Sequence, residues 1–172
     1  WKIPYAINKM CDIIEPIHPS SAVDIAHLTR SLADMALSDC PHDVIDMPLH
    51  FNDFAELFRM LHNRWWDGTP SNGSVAARLN DHLQSIWDTI FAQQRTPGCT
   101  GLILSRRMKK QLMALTQFIG SLFEYNLMGR STLGDIFSDL LGRGKSPCDL
   151  QVQCAIALLW SVSDFLCHSK HG

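Results

Sequence analysis

A short segment, Gly142–Ser146, has residue types that bind phosphate in nucleotide-binding proteins. It reads Gly-Arg-Gly-Lys-Ser and ends in the Gly-Lys-Ser of a phosphate-binding loop. Such a loop needs a second Gly five residues before the Gly of Gly-Lys-Ser, and it follows a strand. Position 139 is Asp, and the preceding residues have helical rather than strand periodicity. We therefore interpret Gly142 as a helix-ending glycine and Ser146 as the cap of the next helix.

The eight histidines and six cysteines do not have the spacing of catalytic or metal-binding motifs. The chain contains no His-x-x-x-His, His-Glu-x-x-His or Cys-x-x-Cys pair and no Gly-x-Ser-x-Gly elbow. The sequence therefore predicts a non-enzymatic protein without a metal or cofactor. We favour reduced, mostly buried cysteines, because Cys154 and Cys167 lie on helical apolar stripes and the chain can form a core without disulfides. A secreted, disulfide-bonded helical protein is the alternative.

Four cations, Arg106, Arg107, Lys109 and Lys110, form what we call the basic cluster. On a helix, positions 106, 109 and 110 share one face and 107 lies beside it. The cluster has two interpretations, a patch that binds phosphates or an acidic partner and an ordinary solvated helix face. Three further cations flank the next helix, and we expect them to converge with the cluster at one edge: Arg130, Arg143 and Lys145.

The adjacent tryptophans Trp65 and Trp66 precede a turn-rich segment, Asp67-Gly-Thr-Pro-Ser-Asn-Gly-Ser. Adjacent residues on a helix cannot face the same way, so at least one ring is expected near the surface. Exposed tryptophans are typical of binding hot spots. The competing interpretation, which we favour, is a hydrophobic plug that seals the end of a helical hairpin.

Size and composition predict one domain over residues 1–172. The chain is 46% hydrophobic and has a formal net charge of −2, so any nucleic-acid contact must be local. It begins at Trp1 without Met, and we expect a fragment of a longer protein. The sequence has no apolar run long enough to span a membrane, and we expect no signal peptide because it lacks a charged-then-apolar pattern. We expect the cytoplasm as its location, with the nucleus as the alternative.

The apolar periodicity predicts an all-α fold. Seven helices are expected, at about 3–15, 20–38, 51–64, 74–93, 105–123, 131–141 and 146–168, with a loop over 39–48. The fifth has apolar residues from Leu104 to Leu122 that step by 4, 4, 3, 4 and 3. Gly120 lies within this helix without any sign of a break, which predicts close approach of a neighbouring helix. The recurring pattern of helix, short break and helix indicates an α-solenoid.

The segment from Arg106 to Leu141 also resembles a known family. The basic cluster, Phe118-Ile119-Gly120-x-Leu122-Phe123, Leu127 and a helix with Ile136 and Leu140 follow one another as in the middle domain of eukaryotic translation initiation factor 4G. The resemblance implies a HEAT-like stack of helical hairpins that docks DEAD-box RNA helicases and often RNA. It therefore implies a scaffold in mRNA metabolism, serving translation or mRNA regulation. The alternative is a general α-solenoid module for protein–protein interaction without an RNA role.

Overall fold

The structure, a computed structural model, describes residues 22–38, 47–65, 74–95, 104–143 and 146–168. They form six helices: α1 (Ala22–Ser38), α2 (Met47–Trp65), α3 (Val75–Arg95), α4 (Arg106–Glu124), α5 (Arg130–Leu140) and α6 (Asp149–His168). These described residues contain no strand, which confirms the predicted all-α class. The predicted helix at 3–15 lies outside them. None of the described helices is both long and apolar enough to cross a membrane.

The chain divides into two compact units, residues 1–82 and 83–172, with the boundary inside α3. In the first unit, α1 packs against α2, and Leu32 of α1 and Phe51 and Phe58 of α2 are buried. His82 Nε2 lies 2.8 Å from Asp34 Oδ1 and links the start of α3 to α1. These contacts join α1 to the next helix, α2, and to the first half of α3.

Two helices begin at other residues than the sequence predicted. α2 begins at Met47, not at Phe51, so Pro48 belongs to its first turn, where a missing N–H removes no helical hydrogen bond. α6 begins at Asp149, not at Ser146. Its start is set by Gln151, whose side-chain oxygen accepts from the Cys148 backbone N–H at 3.0 Å, the reach-back half of a capping box.

In the second unit α4 is the central helix. It packs along α6, and α5 packs against α6 as well. The second half of α4 is almost entirely buried, from Ala114 to Phe123 with the exception of Gln117. α3 adds the stacked rings of Trp87 and Phe91, whose centroids lie 4.7 Å apart, and both are buried. A helix buried on nearly all sides over this length forms the core of its unit.

Both α4 and α5 end in the same hydrogen-bonded motif. After α4, the N–H of Asn126 bonds to Phe123 O and that of Leu127 to Leu122 O. After α5, the N–H groups of Gly142 and Arg143 bond to Asp139 O and Ser138 O. These are Schellman caps. They need a residue with a left-handed backbone conformation, that is with positive φ, directly after the C-cap residue. Asn126 (φ 59°) and Gly142 (φ 89°) supply it, as the sequence predicted for Gly142.

The backbones of α4 and α6 come close together at Gly120. A Cβ added to Gly120 would lie 2.7 Å from Ser161 Cβ and 3.6 Å from Leu158 Cδ1. A Cβ built on Gly134, in the middle of α5, meets nothing within 4 Å. The prediction that Gly120 permits close helix packing is therefore confirmed, and its partner is α6.

Candidate partner-binding surface

The basic cluster lies on the first turns of α4, and all four side chains are exposed. The helix begins after Ser105, whose hydroxyl accepts from the Met108 N–H at 3.3 Å and acts as an N-cap. Leu112 and Leu115, the next apolar residues along α4, are completely buried. The cluster is therefore held on a rigid element, since one end of α4 is solvated and the other is anchored in the core.

The electrostatics of this position are unfavourable for the helix itself. The amino end of a helix has a partial positive charge, and an exposed cation there costs a few tenths to about 1 kcal/mol. α4 has no acidic residue in its first turn. Within the described part of the chain, none of the four cations forms an ion pair with a carboxylate. Local helix stability thus does not explain four cations at this end.

The other predicted cations do not extend the cluster in one direction. Arg130 is exposed and is the first residue of α5, whereas the predicted helix began one residue later, at 131. It follows the Schellman cap at the carboxyl end of α4, so roughly 20 Å of helix separate it from the basic cluster. Arg143 follows α5 and forms an ion pair with Asp139. Lys145 lies outside the described residues.

Asp139 is the centre of a buried polar network in the second unit. Its side chain is 4% exposed, and its Oδ2 accepts a hydrogen bond from Trp87 Nε1 at 3.0 Å. Arg143 Nε donates to the other carboxylate oxygen. The backbone oxygen of Asp139 accepts from Gln151 Nε2 at 3.0 Å. One residue of α5 thereby connects α3, the turn after α5 and the first turn of α6.

An open groove of about 540 Å³ lies over this network. The residues that line it include Asp88, Asp135, Arg143 and Trp87. Gln84 Nε2 donates to Asp88 Oδ1 at 3.0 Å. The described residues contain no group of three or more His, Cys, Asp or Glu arranged to hold a metal ion. The groove has mixed charge, and Arg143 belongs to it by virtue of its bond to Asp139.

The tryptophan pair predicted as a plug or a binding site is described only in part. Trp65 is the last residue of α2, while its side chain and the whole of Trp66 lie outside the described residues. Both interpretations of the pair remain predictions.

The chain was compared with protein families, curated proteins and solved structures. None of them matches it. The candidate surface therefore has to be judged on its own geometry, in which the exposed, unneutralised basic cluster at the amino end of α4 is the most distinct feature that the sequence predicted.

The structure also shows an exposed surface that we did not predict from the sequence. Val152, Ile156, Leu159 and Trp160 are exposed on one side of α6, and we call them the α6 stripe. The opposite side of α6 contributes Cys154, Leu158 and Val162 to the core. The signal was present in the sequence, because α6 has no charged residue between Asp149 and Asp164. Only the core-facing side was recognised there.

Cys148, which directly precedes α6, and Cys154, within α6, differ in environment. Cys148 is half-buried and Cys154 fully buried, and both are free thiols. Burial raises the pKa of Cys154 to about 11, although a hydrogen bond with Thr116 acts in the opposite direction. Thr116 is itself buried, and its hydroxyl donates to Leu112 O at 2.7 Å. Cys154 is therefore a packing residue and has no features of a reactive thiol.

Proposed function

We propose that this chain is a non-enzymatic scaffold domain in mRNA metabolism, built as a HEAT-like α-solenoid similar to the middle domain of initiation factor 4G. Its partner is a DEAD-box RNA helicase or a related protein, and RNA is a second candidate ligand. The all-α fold and the long central helix α4 agree with that architecture. The observation that carries the proposal is the basic cluster, four exposed cations on a rigid helix end where they do not favour the helix.

The charge of the basic cluster is available to a partner. Cations that already pair with carboxylates have little charge left for a partner, whereas the basic cluster has no such pairing in the described part of the chain. Clustered positive charge attracts acidic protein surfaces and phosphates and accelerates association with them. Because the net charge of the whole chain is −2, this attraction is local to the end of α4. A local patch favours one oriented docking mode over general binding to nucleic acid.

The test is the triple variant Arg106→Glu, Lys109→Glu and Lys110→Glu. All three side chains lie off the apolar stripe of α4, so the helical circular-dichroism spectrum should stay unchanged. Because acidic side chains are favoured at the amino end of a helix, the Arg106→Glu change should raise stability by a few tenths to about 1 kcal/mol, and the other two should change it by about 0.5 kcal/mol or less each. Binding to a purified DEAD-box helicase, measured by titration calorimetry, should fall at least tenfold. If RNA also binds, its affinity for the wild-type chain should decrease with added salt, because counterions are released on binding.

A matched pair of single variants controls for charge in general. Lys109→Glu should weaken binding several-fold, whereas Arg30→Glu, which reverses another exposed cation on α1, should not. If the folded triple variant binds helicase and RNA like the wild type, the basic cluster is an ordinary solvated face and the proposal is wrong. If helicase binding alone is lost and RNA never binds, the chain is a protein–protein interaction module, which is the second candidate function.

A further inference from the structure

α6 has apolar residues on two opposite sides, and the core of its unit covers only one of them. A helix that packs on one side normally presents polar residues on the other, and a helix that is apolar all round is normally buried. On the solvent side Val152 is 39% exposed, Ile156 51%, Leu159 53% and Trp160 77%. On a helical wheel these four residues span about 100°, the width of a core-facing stripe. Within the described part of the chain, the α6 stripe thus has the form of a packing surface without a partner element.

The positions of these residues are nearly symmetric about Ile156. Val152 and Trp160 lie four residues before and after it. If a second copy of α6 packs antiparallel with the two-fold axis at Ile156, the small Val152 of each copy faces the large Trp160 of the other. Such an isologous contact uses the same patch on both chains, as most homodimers do. The pairing of a small with a large side chain fills the space between two helices.

The centre of this contact carries no charge. α6 carries no charged side chain from Leu150 to Ser163, so the stripe brings no like charges together. In a parallel pair Asp149 would face Asp149 of the other copy, which is unfavourable. In the antiparallel pair the two Asp149 residues lie at opposite ends of the contact, each opposite Ser163 and next to Asp164 of the other copy, so like charges come near each other only at the ends. The centres of protein interfaces are poor in charge and rich in aromatic residues, and the α6 stripe has both properties.

The area is sufficient for a weak dimer. Trp160 exposes on the order of 150–200 Å², and with the three aliphatic residues the patch reaches about 400 Å², the size at which exposed apolar patches mark interaction sites. When two such patches pack against each other, about 800 Å² of apolar surface is removed from water, and homodimer interfaces are about 65% apolar. The total is therefore roughly 1,200 Å², the lower end of stable interfaces.

We propose that the α6 stripe is a homodimerisation surface, on which two copies of this chain pack antiparallel about Ile156. Sedimentation equilibrium over a range from about 1 μM to several hundred μM should show a monomer–dimer equilibrium in the micromolar range, as expected for a small interface. Ile156→Glu places two carboxylates at the axis and should weaken dimerisation at least tenfold. Trp160→Lys is a second variant with the same expected effect. Val23→Glu, at an exposed apolar residue of α1, is the matched control and should leave the dimer unchanged.

Cross-linking tests the orientation. Mixing Asp149→Cys chains with Ser163→Cys chains, which leave the α6 stripe intact, under mild oxidation should give a disulfide between positions 149 and 163, identified by peptide mass mapping. A bond between two copies of position 149 indicates a parallel pair and contradicts the proposal. A monomer at all concentrations, or a dimer that survives both Ile156→Glu and Trp160→Lys, overturns it and assigns the stripe to a different partner. The outcome does not depend on helicase or RNA binding, so it is separate from the test of the basic cluster.

Discussion

Gly120→Ala tests the packing of α4 against α6, because two effects of similar size oppose each other at this position. Alanine in the middle of a helix is favoured over glycine by about 1 kcal/mol. The new Cβ, however, would lie 2.7 Å from Ser161 Cβ, whereas carbon atoms in contact are separated by about 3.5–4.0 Å. Ser161 Cβ is attached to the backbone and cannot rotate away. α6 would therefore have to move by about 1 Å.

Overpacking of this kind costs about 1–3 kcal/mol, so we expect a net destabilisation of about 1 kcal/mol for Gly120→Ala. Gly120→Leu adds more volume at the same contact and should lose about 1–3 kcal/mol. For a chain of this size, 1 kcal/mol lowers the melting temperature by about 2–4 °C. The measurement is equilibrium urea unfolding followed by circular dichroism.

Two controls separate packing from helix propensity. Gly134→Ala, in α5 where a Cβ meets nothing within 4 Å, should stabilise the protein by up to about 1 kcal/mol. In a Ser161→Gly background the obstructing Cβ is absent, and Gly120→Ala should become stabilising there, which gives a coupling energy between the two positions. If Gly120→Ala is as stabilising as Gly134→Ala in the otherwise wild-type chain, α4 and α6 are not in close contact and the reasoning fails.

Two other predictions concern a buried network and a partly buried base. Asp139→Ala removes the acceptor of the Trp87 indole N–H and should lower the free energy of unfolding by about 2–4 kcal/mol in urea titrations. The control Asp135→Ala, at an exposed site one turn earlier, should change the free energy of unfolding by less than about 0.5 kcal/mol. Equal effects of the two variants would contradict the network. Burial lowers the pKa of His62 below 6.5, so the unfolded chain binds a proton more readily and stability should fall as the pH decreases below about 6.5. His62→Gln should reduce that loss in pH-dependent melting, and an unchanged profile would exclude His62 as its source.

Much of the second unit could be predicted from periodicity. The apolar stripe of α4, the helix-ending Gly142 and the packing role of Gly120 all follow from residue types and spacing within one helix or turn. These features are local, and the physical rules that create them act over a few residues. Exposure of the basic cluster was predictable for the same reason, since its residues lie off that stripe.

Other features depend on contacts that are distant in sequence. The buried Asp139 looks like a surface residue of a short amphipathic helix until Trp87, 52 residues earlier, supplies its hydrogen bond. The start of α6 depends on Gln151, which also binds the backbone of α5. The exposed side of α6 could not be predicted either, because periodicity shows that a face is apolar but does not show whether it is covered.

The hydrogen bond between Trp87 and Asp139 also provides a way to measure how often the second unit opens. The indole proton of Trp87 is shielded from solvent and held by a carboxylate, so it can exchange with water only when α3 and α5 separate. Its exchange rate, followed as one resolved signal in a nitrogen–proton NMR spectrum, reports how often this core opens. A partner that binds elsewhere and tightens the core would slow that exchange without touching the tryptophan. The indole proton of Trp87 is thus a built-in probe of the opening of this core.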